Sequence, residues 1–197
     1  MEQFSFSINN SVAKCGISSS LIRLYDQKMP VIVCIGTDGV AGDSLGPFVG
    51  TILKDRNIPA FIYGHLDSPI TAYEVPTLGE FLKKTHPDSL VLVIDSAVGS
   101  PEDIGVVKIA DCGLKPGLGA HKDLPCVGNV SIMGVVEKKG KTSVQSLEQT
   151  RLRLIWKMAN VIADGICDYS DYIQARNGSR HTSLTKIGKT TIKSFAG

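Results

Sequence analysis

The chain has 197 residues, 43% of them hydrophobic and 20% charged, and carries a formal net charge of +2 at pH 7. That is the size and balance of one globular domain that buries a core without staples. So small a charge, with only 6% aromatic residues, argues against nucleic acid or an anionic membrane surface as a partner.

The first 15 residues, MEQFSFSINNSVAKC, lack the basic segment and apolar block of a secretory leader. Val12, Cys15, Leu21 and Leu24 have helical spacing within Ser11–Lys28, although Gly16 and a serine run weaken that helix. VIVCIG, Val31 to Gly36, is a continuous apolar run and predicts a strand covered on both faces. A Gly/Asp loop follows, Thr37 to Asp43. SLGPFVGTILKDR then predicts a helix with Leu45, Val49, Ile52 and Leu53 on one face and Pro47 in its first turn. A short strand is expected at Ala60–Tyr63. TLGEFLKKTHP reads as a helix opened by a Thr77–Glu80 capping box and ended by Pro87.

LVLVID, Leu90 to Asp95, is the second continuous apolar run, and GVVKIA and VGNVSIMGVVE add further strands. A long helix is predicted from Ser146 to Tyr172, with a Ser146–Gln149 capping box and a stripe of Leu147, Leu154, Ile155, Met158, Ile162 and Ile166. Residues 177–197 are polar and basic and read as a mobile tail. The expected organisation is therefore one α/β domain over 1–176, with its core in 30–172, and a flexible basic tail over 177–197. Alternating strands and helices imply a mostly parallel sheet with helices on both faces.

Five cysteines are present, none in a Cys-x-x-Cys pair, so neither a disulfide framework nor a zinc site is suggested. Cys34 reads as a small buried residue. No apolar run is long enough to span a bilayer. The expected setting is a reducing cytoplasm.

Ligands of open α/β sheets bind at the carboxyl ends of the strands. Two buried strands here run into acidic residues, one into GTDGVAGDSLGP and the other ending as VIDSAVG. If those strands are neighbours, Asp43 and Asp95 face one cleft. Two carboxylates in one site cannot both ionise easily, and such a pair suits activation of water against a peptide carbonyl. Asp43 fits a helix N-cap equally well, and Asp95 could cap its loop. Asp38, Asp67 and Glu74 read as solvated loop residues, and His65 and His86 as structural or exposed. GTDGVAGDSLG lacks the spacing and the lysine of a phosphate loop. KPGLGAHKDLPCVGN reads as a substrate-facing loop that includes Gly117, Gly119, His121 and Lys122. His121 could join Asp43 and Asp95 in a metal-friendly set of two oxygens and one nitrogen, but no resident metal or cofactor is expected.

GTDGVAGDSLGP after a buried strand, then VIDSAVG, then KPGLGAHKDLPCVGNVSIMGVVE resemble in order and spacing the YyaC-like sporulation proteins. These are similar to the germination protease that degrades small acid-soluble spore proteins, and more distantly to hydrogenase-maturation endopeptidases. The resemblance runs from Val31 to Tyr172. It implies a three-layer α/β/α fold of the phosphorylase/hydrolase-like type, with Asp43 and Asp95 matching the aspartate pair of the germination protease. In the hydrogenase-maturation enzymes the matching acidic positions and a histidine contact a metal carried by the substrate.

The expected function is a peptidase of the germination-protease type, located in a forespore or mother cell and acting on a peptide or small spore protein. The alternatives are a non-catalytic sporulation protein holding a peptide or partner in the same cleft, or a metal-dependent maturation-type endopeptidase. The chain is shorter than the germination protease, and a removable pro-segment is not expected.

Overall fold

A continuous apolar run is buried on both sides only if each face of its strand meets a separate core, because successive side chains point to opposite faces. The computed structural model describes residues 2–114, 126–140 and 147–193, with side chains as far as Gly178. In it the runs divide in that way. Ile32, Cys34, Leu92, Ile94, Ile109 and Ile132 belong to one buried cluster, and Val31, Val33, Ile35, Val91 and Val93 to another.

The elements, in chain order, are β1 (Gln3–Ser7), α1 (Ala13–Leu24), β2 (Val31–Cys34), α2 (Leu45–Asp55), β3 (Ile62–Tyr63), α3 (Val75–Thr85), β4 (Val91–Gly99), β5 (Val106–Ala110), β6 (Val130–Lys138) and α4 (Leu152–Lys193). The six strands form one sheet in the order β1-β5-β6-β4-β2-β3. β3, β2, β4 and β6 run parallel, while β5 and β1 are antiparallel additions at one edge. Residues of α1, α2 and α4, including Ile17, Leu53, Ile155, Met158 and Ile162, cover one face. Val75 and Leu82 of α3 pack on the other. The fold is thus the expected three-layer α/β/α arrangement with a mostly parallel mixed sheet. Cys34 is fully buried and burial pushes its thiol up, so it behaves as a small apolar residue.

Several element limits differ from the sequence expectation for identifiable reasons. β1 was not expected. It is an edge strand in which half-buried Phe4 and Phe6 alternate with exposed Gln3, Ser5 and Ser7. Helix α3 begins at Val75 rather than at a Thr77–Glu80 capping box. Pro76 supplies the fixed φ of the first turn, and the Glu74 carboxylate accepts bonds from the Thr71 amide and hydroxyl. Helix α4 starts at Leu152 rather than Ser146, which lies outside the described residues. Its backbone stays helical to Lys193, through the segment read as a tail. Helical hydrogen bonding can outlast the apolar stripe that docks the helix, because it requires only local backbone partners.

Helix α2 sits unusually close to the end of β2. A Cβ at Gly46 would lie 2.0 Å from the Ile35 carbonyl oxygen, so only glycine fits there. Gly46→Ala is expected to destabilise the chain by about 2–3 kcal/mol, the upper part of the overpacking range. Gly79→Ala, in α3 with open space around the new methyl, should instead stabilise it by about 0.5–1 kcal/mol. Urea unfolding of the two variants checks both signs. Equal midpoints would show that the close approach at Gly46 does not constrain the fold.

Candidate active site

β2 and β4 are parallel neighbours, with Cys34 level with Ile94. Their carboxyl ends therefore open at the same edge of the sheet. The chain leaves β2 through Gly36, whose φ of +138° is open to glycine but not to other residues. A Cβ at this position would fall 2.0 Å from the Asp43 carbonyl oxygen. That carbonyl accepts a bond from the Thr37 amide at 3.1 Å, which closes the loop on itself. A 3-10 turn, Ala41–Asp43, then leads into α2.

The aspartate is not the helix cap. Ser44 occupies that position, and its hydroxyl bonds back to the Ala41 carbonyl at 2.7 Å. The first turn of α2 lies over the sheet because β6 offers room beneath it. A Cβ at Gly134 would meet a Leu45 methyl at 2.3 Å and the Met158 sulfur at 2.2 Å. Gly134 pairs directly with Ser96 of β4, so this contact sets the start of α2 beside the end of β4.

Asp95 and Asp43 come together at that edge. Asp95 lies inside β4, level with Met133 of β6, and is only 9% exposed. Its Oδ1 accepts the Ser96 amide at 2.7 Å. The Ser96 hydroxyl faces Asp43 Oδ1 at 3.4 Å, and Asp43 itself is half-buried. Burial is the main cause that holds the Asp95 carboxyl well above the usual carboxylate range. The neighbouring Asp43 charge adds to the rise, and the Ser96 amide opposes it. A buried strand-end acid and a more accessible one are therefore linked through Ser96.

The other candidate residues are elsewhere. Asp38, Asp67 and Glu74 are exposed. His65 accepts a bond from Lys54 Nζ at 2.9 Å and lies 3.6 Å from Asp67. His86 is bonded to the Tyr63 hydroxyl at 2.8 Å, with its ring 4.7 Å from that of Phe61. Gly117, Gly119, His121 and Lys122 lie outside the described residues. Among the described residues, no group of three or more His, Cys, Asp or Glu side chains is gathered as a metal site, and no helix is long and apolar enough to cross a membrane. Sequence reasoning passed over Ser96. The available signal was a small hydroxyl residue directly after a strand-end aspartate, where alternation turns it to the face that carries α2.

Comparison with known proteins places the chain. Residues 5–165 match the family described as "Protein of unknown function (DUF1256)". The chain is 40% identical over 163 residues to "Uncharacterized protein YyaC" of Bacillus subtilis (strain 168), covering 81% of this chain and 80% of that protein. Among solved structures, the NiFe hydrogenase maturation protease HycI from Thermococcus kodakarensis KOD1 is similar at 18% identity and a TM-score of 0.36, over 73% of this chain and 98% of that one. On the family match and the extent of the shared sequence, the chain belongs to the DUF1256 family of YyaC-like proteins.

Proposed function

We propose that the protein is a peptidase of the germination-protease type, acting on a peptide or small spore protein during sporulation or germination. The observation that carries this reading is the position of Asp95, buried in β4 with its carboxyl pushed up by burial and by the Asp43 charge. Groups with such values gather at functional sites, because a plain structural role gives no return for the strain. The likeness of GDSLGP and VIDSAVG to the aspartate motifs of the germination protease supports the same assignment.

In this mechanism the pair shares one proton, held on the buried member. The ionised carboxylate takes a proton from a water molecule, whose oxygen attacks the scissile carbonyl. The protonated carboxyl donates to the carbonyl oxygen as the tetrahedral intermediate forms. The proton gained from water then goes to the departing amine as the C–N bond breaks, and a hydroxyl of the intermediate returns a proton to the buried carboxylate. The pair titrates as a unit, so its pH profile belongs to both residues.

Asp43→Asn and Asp95→Asn should each lower cleavage of small acid-soluble spore proteins by about 10²–10⁴-fold, the range for loss of a general acid or base. The double variant should be no worse than the poorer single one, because the residues act together. Mass spectrometry of timed digests measures this. Cleavage that survives both substitutions would remove the pair from the chemistry.

Stability carries an independent signature. The Asp95 carboxyl is raised in the folded chain, so the folded state keeps a proton that the unfolded chain releases. Stability is therefore lost as pH climbs from the ordinary carboxylate value of 3.8 toward the raised one. Asp95→Asn removes that loss. Its stability gain over wild type should be smallest near pH 3 and grow through the range above about 4. Urea midpoints across pH test it, and a gain that shrinks with rising pH would contradict the assignment.

A further inference from the structure

Ser96 touches both acids. Its peptide N–H donates to Asp95 Oδ1 at 2.7 Å, and its hydroxyl oxygen lies 3.4 Å from Asp43 Oδ1. The two donors leave the same residue in different directions. Alternation along β4 puts Asp95 in step with Val91 and Val93, whose cluster is packed by α3. Ser96 falls in step with Leu92 and Ile94, whose cluster is packed by α1, α2 and α4. The hydroxyl thus reaches the acid that arrives on the α2 side, while the amide holds the acid within the strand.

The surroundings leave this linkage prominent. The strand partners of Asp95 and Ser96 on β6 are Met133 and Gly134, neither of them charged. On the other side β2 contributes Val31–Cys34, also uncharged. The first turn of α2 holds no acidic residue. The loop between β2 and α2 carries Asp38, which is exposed. Among the described residues, the charge that raises Asp95 beside burial is that of Asp43.

We infer that Ser96 is a positioning residue for the pair: its hydroxyl orients Asp43 as the proton acceptor while its amide holds the Asp95 carboxyl in place within the strand. This rests on the reading of Asp43 and Asp95 as the reacting centre. A hydroxyl donor favours a carboxylate over a carboxylic acid, so it acts on the more accessible member. The 3.4 Å separation is long for an O–H···O bond, which makes the effect moderate.

The test uses the full chain labelled with carboxyl-¹³C aspartate, titrated by NMR, with Asp43→Asn and Asp95→Asn assigning the two signals. In wild type the pair should titrate in two separated steps. In Ser96→Ala the lower step should rise by roughly half a unit, narrowing the gap, as expected for loss of one weak donor to a charged acceptor. Ser96→Thr, which keeps the hydroxyl, should restore the wild-type spacing. If the alanine variant does not fold, Ser96→Cys supplies a weaker donor of similar size and should shift the lower step in the same direction.

On a cleaved substrate, Ser96→Ala should lower kcat by about tenfold with KM little changed, the mark of a group that acts after binding. Unchanged titration steps in the alanine or cysteine variant would overturn the role of Ser96, whether or not any peptide is cut. Absence of cleavage with the narrowed steps present would overturn the peptidase reading and leave Ser96 as the link between two coupled acids.

Discussion

The structure depends on how closely the start of helix α2 is seated against the end of the parallel sheet. A side chain at Gly46 would strike the Ile35 carbonyl, and one at Gly36 would strike the Asp43 carbonyl. At Gly134 the missing side chain makes room for Leu45 and Met158. Each contact is local, yet together they fix one geometric outcome: a loop acid brought beside a strand acid. Glycine at such points is costly in the unfolded chain, because it has more backbone freedom to lose. The chain accepts that cost where it positions Asp43.

The second constraint is electrostatic. Burying a carboxylate without a cation beside it is unfavourable, and Asp95 has an acid for a neighbour. The hydrogen bond from the Ser96 amide offsets only part of that cost. Nearby apolar residues on the same strand face, such as Val91 and Val93, show what a purely structural solution at this position would be. A chain that keeps an acid there gives up stability that an apolar residue would supply. Asp43 stands within electrostatic reach of it, on the more accessible side.

Much of this was legible from residue order alone. VIVCIG and LVLVID declared two-faced strands, and the fold joins them as neighbours with their ends at one edge. The acidic residues after those runs marked that edge. What escaped depended on tertiary contact rather than on local pattern. QFSFS is too short and too polar to announce a strand until β5 offers it an edge. Thr77 and Glu80 imitate a capping box, but Val75 is buried against the sheet and draws the helix start back to it. Ser96 carries no signature in isolation, since its meaning comes from an aspartate that reaches it across the sheet edge. Asp43 was equally suited to capping a helix until the fold gave that place to Ser44.

The central claim is that Asp95 holds its proton where ordinary carboxylates have lost theirs. Difference infrared spectroscopy of the folded chain at about pH 6, two units above the usual aspartate range, reads this directly through the carbonyl stretch of a protonated carboxyl group. The account predicts such a band in the wild-type protein and its disappearance in Asp95→Asn. A spectrum without a protonated carboxyl band at that pH, or a band that persists unchanged in Asp95→Asn, would contradict it.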